Sequence, residues 1–161
     1  MKLNHVYKTF YPDSPKEVKA LTDINLTFEK GEFTTLSGES GSGKTTLLNI
    51  IGGLDSATSG EIFFEGEEIT AYNEEKMAKL RLHDIGFIFQ AYNLIHVLTV
   101  RENIGFIMKL LKFDEKEIEA RILELASILQ IEDCLPESSL RFLYSPGVRI
   151  KLACGVGSSL L

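Results

Sequence analysis

The sequence contains few of the residues that stabilise small secreted or zinc-binding domains. Its 161 residues include two cysteines, Cys134 and Cys154, and three histidines. The cysteines form no CxxC pair, and the histidines do not have the spacing of zinc ligands. We therefore expect neither a disulfide framework nor a zinc site, and both thiols should be reduced.

Long apolar runs and an excess of basic residues are also missing. No stretch of about 18 apolar residues could cross a bilayer, and the N-terminus lacks the apolar segment of a signal peptide. The chain has 17 Lys and Arg against 23 Asp and Glu, whereas coating nucleic acid needs a basic surface. One cytoplasmic domain without a nucleic-acid partner is expected.

The end of the chain has almost no acidic residues. Glu137 is the only one of the 23 acidic residues that follows Asp133. At ordinary composition, about three would be expected in a stretch of this length. We therefore treat 134–161 as an atypical tail and 1–133 as the body of the domain.

Hydrophobic periodicity predicts a mixed α/β structure. Short apolar runs bounded by turn residues predict five strands, at 3–10, 20–28, 32–37, 61–65 and 85–89. Helical spacing predicts four helices, at 44–54, 73–83, 100–111 and 114–129. In the last helix, Asp114 is the predicted N-cap, and Ile118, Ile122, Leu125 and Leu129 form its apolar face.

The strongest motif is a glycine-rich loop between a predicted strand and a predicted helix. Gly38 to Thr45 satisfies G-x-x-x-x-G-K-[ST]. Its glycines let backbone N–H groups turn towards phosphate oxygens, Lys44 supplies a cation, and the Thr45 hydroxyl can ligate Mg²⁺. This pattern predicts a nucleotide-binding loop, and a chance Gly/Ser-rich linker is the less favoured interpretation.

Two longer blocks place this loop in a family. SGESGSGKTTLLNIIGGLDSATSGEIFFEGEEI and IGFIFQAYNLIHVLTVRENI resemble the ATP-binding cassette (ABC) family, most closely the branch of macrolide-exporter and lipoprotein-releasing ATPases. The resemblance implies a P-loop α/β core, an antiparallel N-terminal β-subdomain and a helical subdomain at 70–133. A kinase or GTPase is disfavoured because the block around Gln90 and the strands before the loop fit ABC domains better.

The resemblance also implies a set of site residues. The amide oxygen of Gln90 would reach Mg²⁺ or the attacking water. Ala91 to Thr99 would contact a membrane subunit of the transporter. An aromatic residue would stack on adenine, and the choice between Phe10 and Tyr11 stays open, as does a purely structural role for Phe10. The residues that would bind ATP are Phe10, Tyr11, Ser40, Gly41, Ser42, Gly43, Lys44, Thr45 and Thr46.

Several parts of the family pattern do not occur in the sequence. A Leu-Ser-Gly-Gly-Gln signature, an apolar strand ending in Asp-Glu and a following histidine are missing, and the pair Glu132 and Asp133 is in the wrong order and place. Truncation or a shift of reading frame after about residue 133 would explain this. The residues from Tyr144 to Arg149 permit codons that encode Leu-Ser-Gly-Gly-Glu when read from one base before the codon for Ser145.

These observations leave two hypotheses. The first is an ATPase subunit that dimerises head to tail with a second ATP-binding subunit and drives separate membrane subunits from the inner face of the membrane. The second is a truncated module that binds Mg-ATP without hydrolysing it. The family favours the first for the lineage, whereas the missing motifs favour the second for the isolated chain, which we expect to have an incomplete core and marginal stability.

Overall fold

The structure, a computed structural model, describes residues 1–89 and 93–139. Its elements are β1 (Lys2–Phe10), β2 (Val18–Thr27), α1 (Lys44–Ile51), β3 (Ser59–Phe64), β4 (Glu67–Glu68), α2 (Glu74–Asp84), α3 (Val100–Leu110), α4 (Glu115–Leu129) and a 3-10 turn (Glu132–Cys134). The chain divides into two units, Met1–His83 and Asp84–Leu161. Within the described ranges, no helix has the length and apolar character needed to cross a membrane.

The first unit is an antiparallel sheet with helix α1 packed on it. The strands lie in the order β2-β1-β3-β4, and each neighbouring pair is antiparallel. Leu47 and Ile50 of α1 are buried in the same apolar cluster as Leu3, Val6, Leu21, Ile62 and Ile69 of the sheet and the turn after it. This confirms the predictions of strands near 3–10, 20–28 and 61–65 and of a helix beginning at Lys44.

A β-bulge in β1 determines which of its side chains point into the core. His5 has a φ of 49°, and the register shifts between Leu3 and Val6, so these two buried residues are three positions apart instead of two. Gly60 of β3 lies against the bulge, with a φ of 99°, and a Cβ there would be 2.3 Å from the His5 carbonyl oxygen. Beyond the bulge, Val6, Lys8 and Phe10 share one face of the strand.

Two of the five predicted strands, at 32–37 and 85–89, are wrong. Neither segment pairs with another strand in the described part of the chain. Phe33 is 92% exposed and Ile88 is 75% exposed. Both runs have strand-like composition, but a strand also needs a neighbour whose backbone pairs with its N–H and C=O groups. These segments have no such neighbour within 1–89 and 93–139.

The second unit is built around the pair α3 and α4. Gly105 allows the close approach of the two helices, because a Cβ there would lie 3.0 to 3.1 Å from side-chain atoms of Ile118 and Ile122. The buried cluster consists of Leu94, Val100, Met108, Ile118, Ile122, Ala126, Ile131 and Leu135.

Helix α4 begins and packs largely as the sequence predicts. Asp114 is its N-cap and forms a reciprocal capping box with Glu117. Of the predicted apolar face, Ile118 and Ile122 are buried, but Leu129 in the last turn is 38% exposed, and Ala126 takes the buried position one turn earlier. The apolar face therefore ends a turn earlier than its periodicity suggested.

Candidate functional site

The glycine-rich loop curls around the Lys44 side chain. The Lys44 ammonium donates hydrogen bonds to the carbonyl oxygens of Gly38 at 2.9 Å and Glu39 at 2.6 Å, and to Ser42 Oγ at 3.2 Å. All three acceptors are neutral and belong to exposed residues. An anion entering the loop would therefore meet a cation that has no carboxylate partner among the described residues.

Helix α1 begins with backbone donors that no acceptor occupies. Its N-cap is Gly43, which has no side chain to cap the helix, and its first turn has no acidic residue. Among the described residues, no acceptor pairs with the backbone N–H groups from Gly43 to Thr46. Free N–H groups and the positive end of the helix dipole together make an anion-binding site.

Thr45 is one of the two predicted Mg²⁺ ligands, with Gln90, and is exposed at the start of α1. In the part of the chain that the structure describes, its hydroxyl has no hydrogen-bond partner. A free hydroxyl beside a phosphate-binding loop matches the oxygen ligands that Mg²⁺ prefers. The residues present therefore fit a magnesium-bound triphosphate.

Gly43 fixes the end of the loop against β2. It has a φ of 86°, and a Cβ there would be 2.5 Å from the Ala20 carbonyl oxygen and 3.1 Å from Leu21 Cδ2. No residue with a side chain could take this position without moving the strand or the helix. Gly43 therefore joins the phosphate-binding end of α1 to the β1-β2 hairpin.

The two candidate aromatic residues differ in how firmly they are held. Phe10 is half-buried and is the last residue of β1, where it pairs with Val18 of β2. Val18 is two residues from Ala20, about 7 Å along the strand from the contact with Gly43. Tyr11 is 68% exposed and has a φ of 52°. The end of β1 therefore lies in the neighbourhood of the loop, and Phe10 is the more buried of the two aromatic residues.

One residue beside Phe10 was not among the predicted site residues. Lys8 is 9% exposed, and its ammonium lies 4.9 Å from the centre of the Phe10 ring. It also pairs with Asp55 in the loop after α1. A usable signal existed, because Lys8 alternates with Val6 and Phe10 on the inward face of a predicted strand.

The described part of the predicted membrane-subunit surface, Asn93 to Thr99, belongs to the second unit. Val97 is 90% exposed and Ile95 is 37% exposed, while Leu94 is buried. Asn103 of α3 holds the segment in place. Its Oδ1 accepts from Ile95 N at 2.8 Å, and its Nδ2 donates to Thr99 O at 2.9 Å.

Two further features stabilise the end of this segment. Thr99 caps α3 through a reciprocal capping box with Glu102, and hydrogen bonds from the Thr99 backbone N–H and hydroxyl lower the pKa of the Glu102 carboxyl. Asn103 Nδ2 also donates to Oγ of Ser139 at 2.7 Å, and Ser139 is fully buried. The segment thus presents an exposed apolar side chain on a well-anchored backbone.

Several predicted features lie outside the described residues or stay predictions. Gln90 and the neighbouring 91–92 lie outside the described ranges, as does 140–161. Residues just past Asp133 belong to the second unit, because Leu135 and Ser139 are both buried there. The frame-shift hypothesis stays a prediction.

Comparison with known proteins identifies the family. The ABC transporter family matches residues 21–154, so the match continues past Asp133 into the segment with atypical composition. The chain belongs to the ABC transporter family, and its fold is that of an ABC ATP-binding domain. It is 35% identical to the ATP-binding cassette MJ0796 in a dimeric post-hydrolysis state bound to ADP and Pi, with a TM-score of 0.78 over 86% of this chain and 61% of that one.

The curated relatives are named as ATP-binding proteins. The ABC transporter ATP-binding protein YvcR of Bacillus subtilis, whose function is uncharacterised, is 37% identical over 96% of this chain and 59% of its own length. The putative hemin import ATP-binding protein HrtA of Staphylococcus epidermidis is 45% identical over 81% of this chain and 58% of its own length. The chain thus spans less than two thirds of the length of these relatives.

Proposed function

We propose that this chain is the ATP-binding part of an ABC transporter ATPase and that it binds Mg-ATP through Gly38 to Thr46. The observation that supports this best is the loop itself, where unoccupied N–H groups and the Lys44 ammonium converge. Three neutral oxygens accept from that ammonium, so phosphate oxygens can replace them without breaking an ion pair. The ATP-binding relatives and the ADP-bound neighbour support the same function.

The proposed reaction is attack of water on the γ-phosphorus in line with the bond to the leaving ADP oxygen. That bond breaks with its electron pair passing to ADP, and the water's proton leaves with the solvent or the phosphate. Lys44 and the N–H groups at the start of α1 would stabilise the negative charge on the transferred group. Thr45 and Gln90 would hold a magnesium ion, which would offset the negative charge of the phosphates.

Binding and turnover by the full 161-residue chain test this proposal. Calorimetry should detect Mg-ATP binding, and Lys44→Ala should weaken it at least about tenfold, a loss of roughly 1.4 kcal/mol. Lys30→Ala removes the same charge from an exposed lysine and should leave the affinity unchanged. Phosphate release should depend on Lys44 in the same way.

Each alternative outcome has a definite meaning. Absence of Mg-ATP binding by the unmodified chain would overturn the proposal. Binding without phosphate release would assign the 161-residue chain to the second hypothesis, the binding module. The relatives do not favour the hypothesis of a binding module without ATPase activity, because they belong to an ATPase family.

We also propose that Asn93 to Thr99 is part of the surface that contacts a membrane subunit, at the inner face of the membrane. Val97, 90% exposed and apolar, lies on a backbone that Asn103 fixes, so docking would bury apolar area without ordering the segment first. A second copy of an ATP-binding subunit is the other proposed partner, since the structural neighbour is dimeric.

Fractionation of cells that produce the tagged chain with its transporter tests this surface. Val97→Asp should move most of the chain from the membrane fraction to the soluble fraction, because a carboxylate in an apolar interface is costly. Ile128→Asp is the matched control, since Ile128 is 67% exposed in the same unit but lies on α4. Equal release by both variants, or by neither, would contradict the proposed surface.

A further inference from the structure

The ion pair of Lys8 with Asp55 has no role in the site described so far. Among the described residues, Lys8 is the one charged residue that is buried, with 9% of its surface exposed. Its ammonium donates to Asp55 Oδ1 at 2.6 Å and to the Ser56 carbonyl oxygen at 2.7 Å. Burying an ammonium is costly, and these two bonds offset the cost only while the geometry is kept. The position of the Lys8 side chain is therefore tightly fixed.

The same ammonium fixes the position of the Phe10 ring. It lies 4.9 Å from the ring centre, within the range of a cation–π interaction. Lys8 and Phe10 are two residues apart on one face of β1, so the contact needs no distortion of the strand. One face of the ring is therefore covered by a held cation.

The ion pair also links this ring to the helix that begins at the phosphate-binding loop. Asp55 and Ser56 follow the C-terminal end of α1, and Gly43 at its N-terminal end is packed on Ala20 of β2. Both ends of α1 are thus tied to the β1-β2 hairpin, one through Lys8 and the other through Gly43. This double attachment sets the distance between Phe10 and the phosphate-binding loop.

We propose that Lys8 is a positioning residue for the base of the bound nucleotide, acting through Phe10, one of the two aromatic residues that the family resemblance names for stacking on adenine. The inference rests on the proposed function, because it requires a nucleoside triphosphate in the loop. The Lys8 ammonium holds the ring, and the ion pair with Asp55 holds the ammonium. Tyr11, with 68% of its surface exposed, has no comparable anchor among the described residues.

Two ligands separate positioning of the base from general stability of the loop. Mg-ATP has a base, and magnesium tripolyphosphate has the phosphates alone. For Lys8→Gln, which removes the cation and keeps hydrogen-bond donors, we expect the affinity for Mg-ATP to fall about fivefold to tenfold, the size of a lost aromatic stacking interaction. The affinity for tripolyphosphate should change less than about twofold, since no contact to phosphate is altered.

Companion variants complete the experiment on the full chain. Phe10→Leu should reproduce the selective loss of Mg-ATP affinity, Lys8→Arg should restore most of it, and Lys79→Gln, at an exposed lysine on α2, should have no effect. If Lys8→Gln does not fold, Phe10→Leu and Tyr11→Leu still decide which ring stacks.

The outcomes distinguish this inference from the proposed function. An equal loss of affinity for both ligands in Lys8→Gln would show a purely structural role and overturn the inference. A selective loss in Tyr11→Leu instead of Phe10→Leu, or no loss in either, would also overturn it. If the unmodified chain binds neither ligand, the proposed function itself fails.

Discussion

Replacing Gly43 with alanine is expected to lower the free energy of unfolding of the first unit by at least about 3 kcal/mol and to remove measurable Mg-ATP binding. The left-handed backbone, at a φ of 86°, costs a residue with a Cβ about 1 to 2 kcal/mol. The new Cβ would also lie 2.5 Å from the Ala20 carbonyl oxygen, and relieving that overlap moves the start of α1. Urea unfolding followed by circular dichroism, with calorimetry for binding, would measure both effects.

Gly31 provides a matched control for the backbone strain. Its φ is 79°, and a Cβ there would have no heavy atom within 4 Å. Gly31→Ala should therefore cost only the conformational energy, about 1 to 2 kcal/mol, and leave Mg-ATP binding intact. Equal destabilisation by the two substitutions would show that the contact with β2 has no energetic role.

Replacing Asn103 with alanine is expected to destabilise the second unit by about 1 to 3 kcal/mol. The substitution would leave the Ile95 N–H without the Oδ1 that accepts from it at 2.8 Å, whereas the Thr99 carbonyl would keep the backbone N–H of residue 103 at 3.0 Å. It would also remove the 2.7 Å bond to Oγ of the fully buried Ser139. Each unsatisfied buried polar group costs about 1 to 3 kcal/mol, and hydration of the exposed ones reduces the sum.

Two variants serve as comparisons for Asn103→Ala: Asn103→Asp and Lys109→Ala. The aspartate keeps the acceptor for Ile95 N but loses the amide donors, so its cost should be smaller than that of alanine. Lys109 is an exposed residue of the same helix, and its replacement should change stability by less than about 0.5 kcal/mol. A similar small effect for Asn103→Ala in urea unfolding would contradict the role of this side chain.

The sequence was sufficient to predict elements whose signals are local. Strands β1, β2 and β3 and all four helices were predicted from periodicity, and the Asp114 cap was predicted from its residue type. The phosphate-binding loop was predicted as well, because its glycines, lysine and threonine lie within eight consecutive residues. In each case the information needed is contained in a short window of the chain.

Features that depend on distant partners could not be predicted in the same way. The segments 32–37 and 85–89 have strand composition, but pairing depends on neighbours that a short window does not contain. Lys8 reaches Asp55 across 47 positions of sequence, and Asn103 reaches Ser139 across 36. The strand alternation could have indicated that Lys8 points inward, but no local pattern identifies the partner of either side chain.

The unpaired segment before the phosphate-binding loop affects the entropy of ligand binding. The loop is attached on one side only, because Gly43 is packed on β2 whereas residues 32–37 belong to no sheet within the described ranges. Fixing the backbone of one residue costs about 1 to 2 kcal/mol, so ordering even two of these residues around a triphosphate would consume a sizeable part of the binding energy. A neighbouring strand that paired with this segment would supply that order in advance and raise the affinity for nucleotide without touching it.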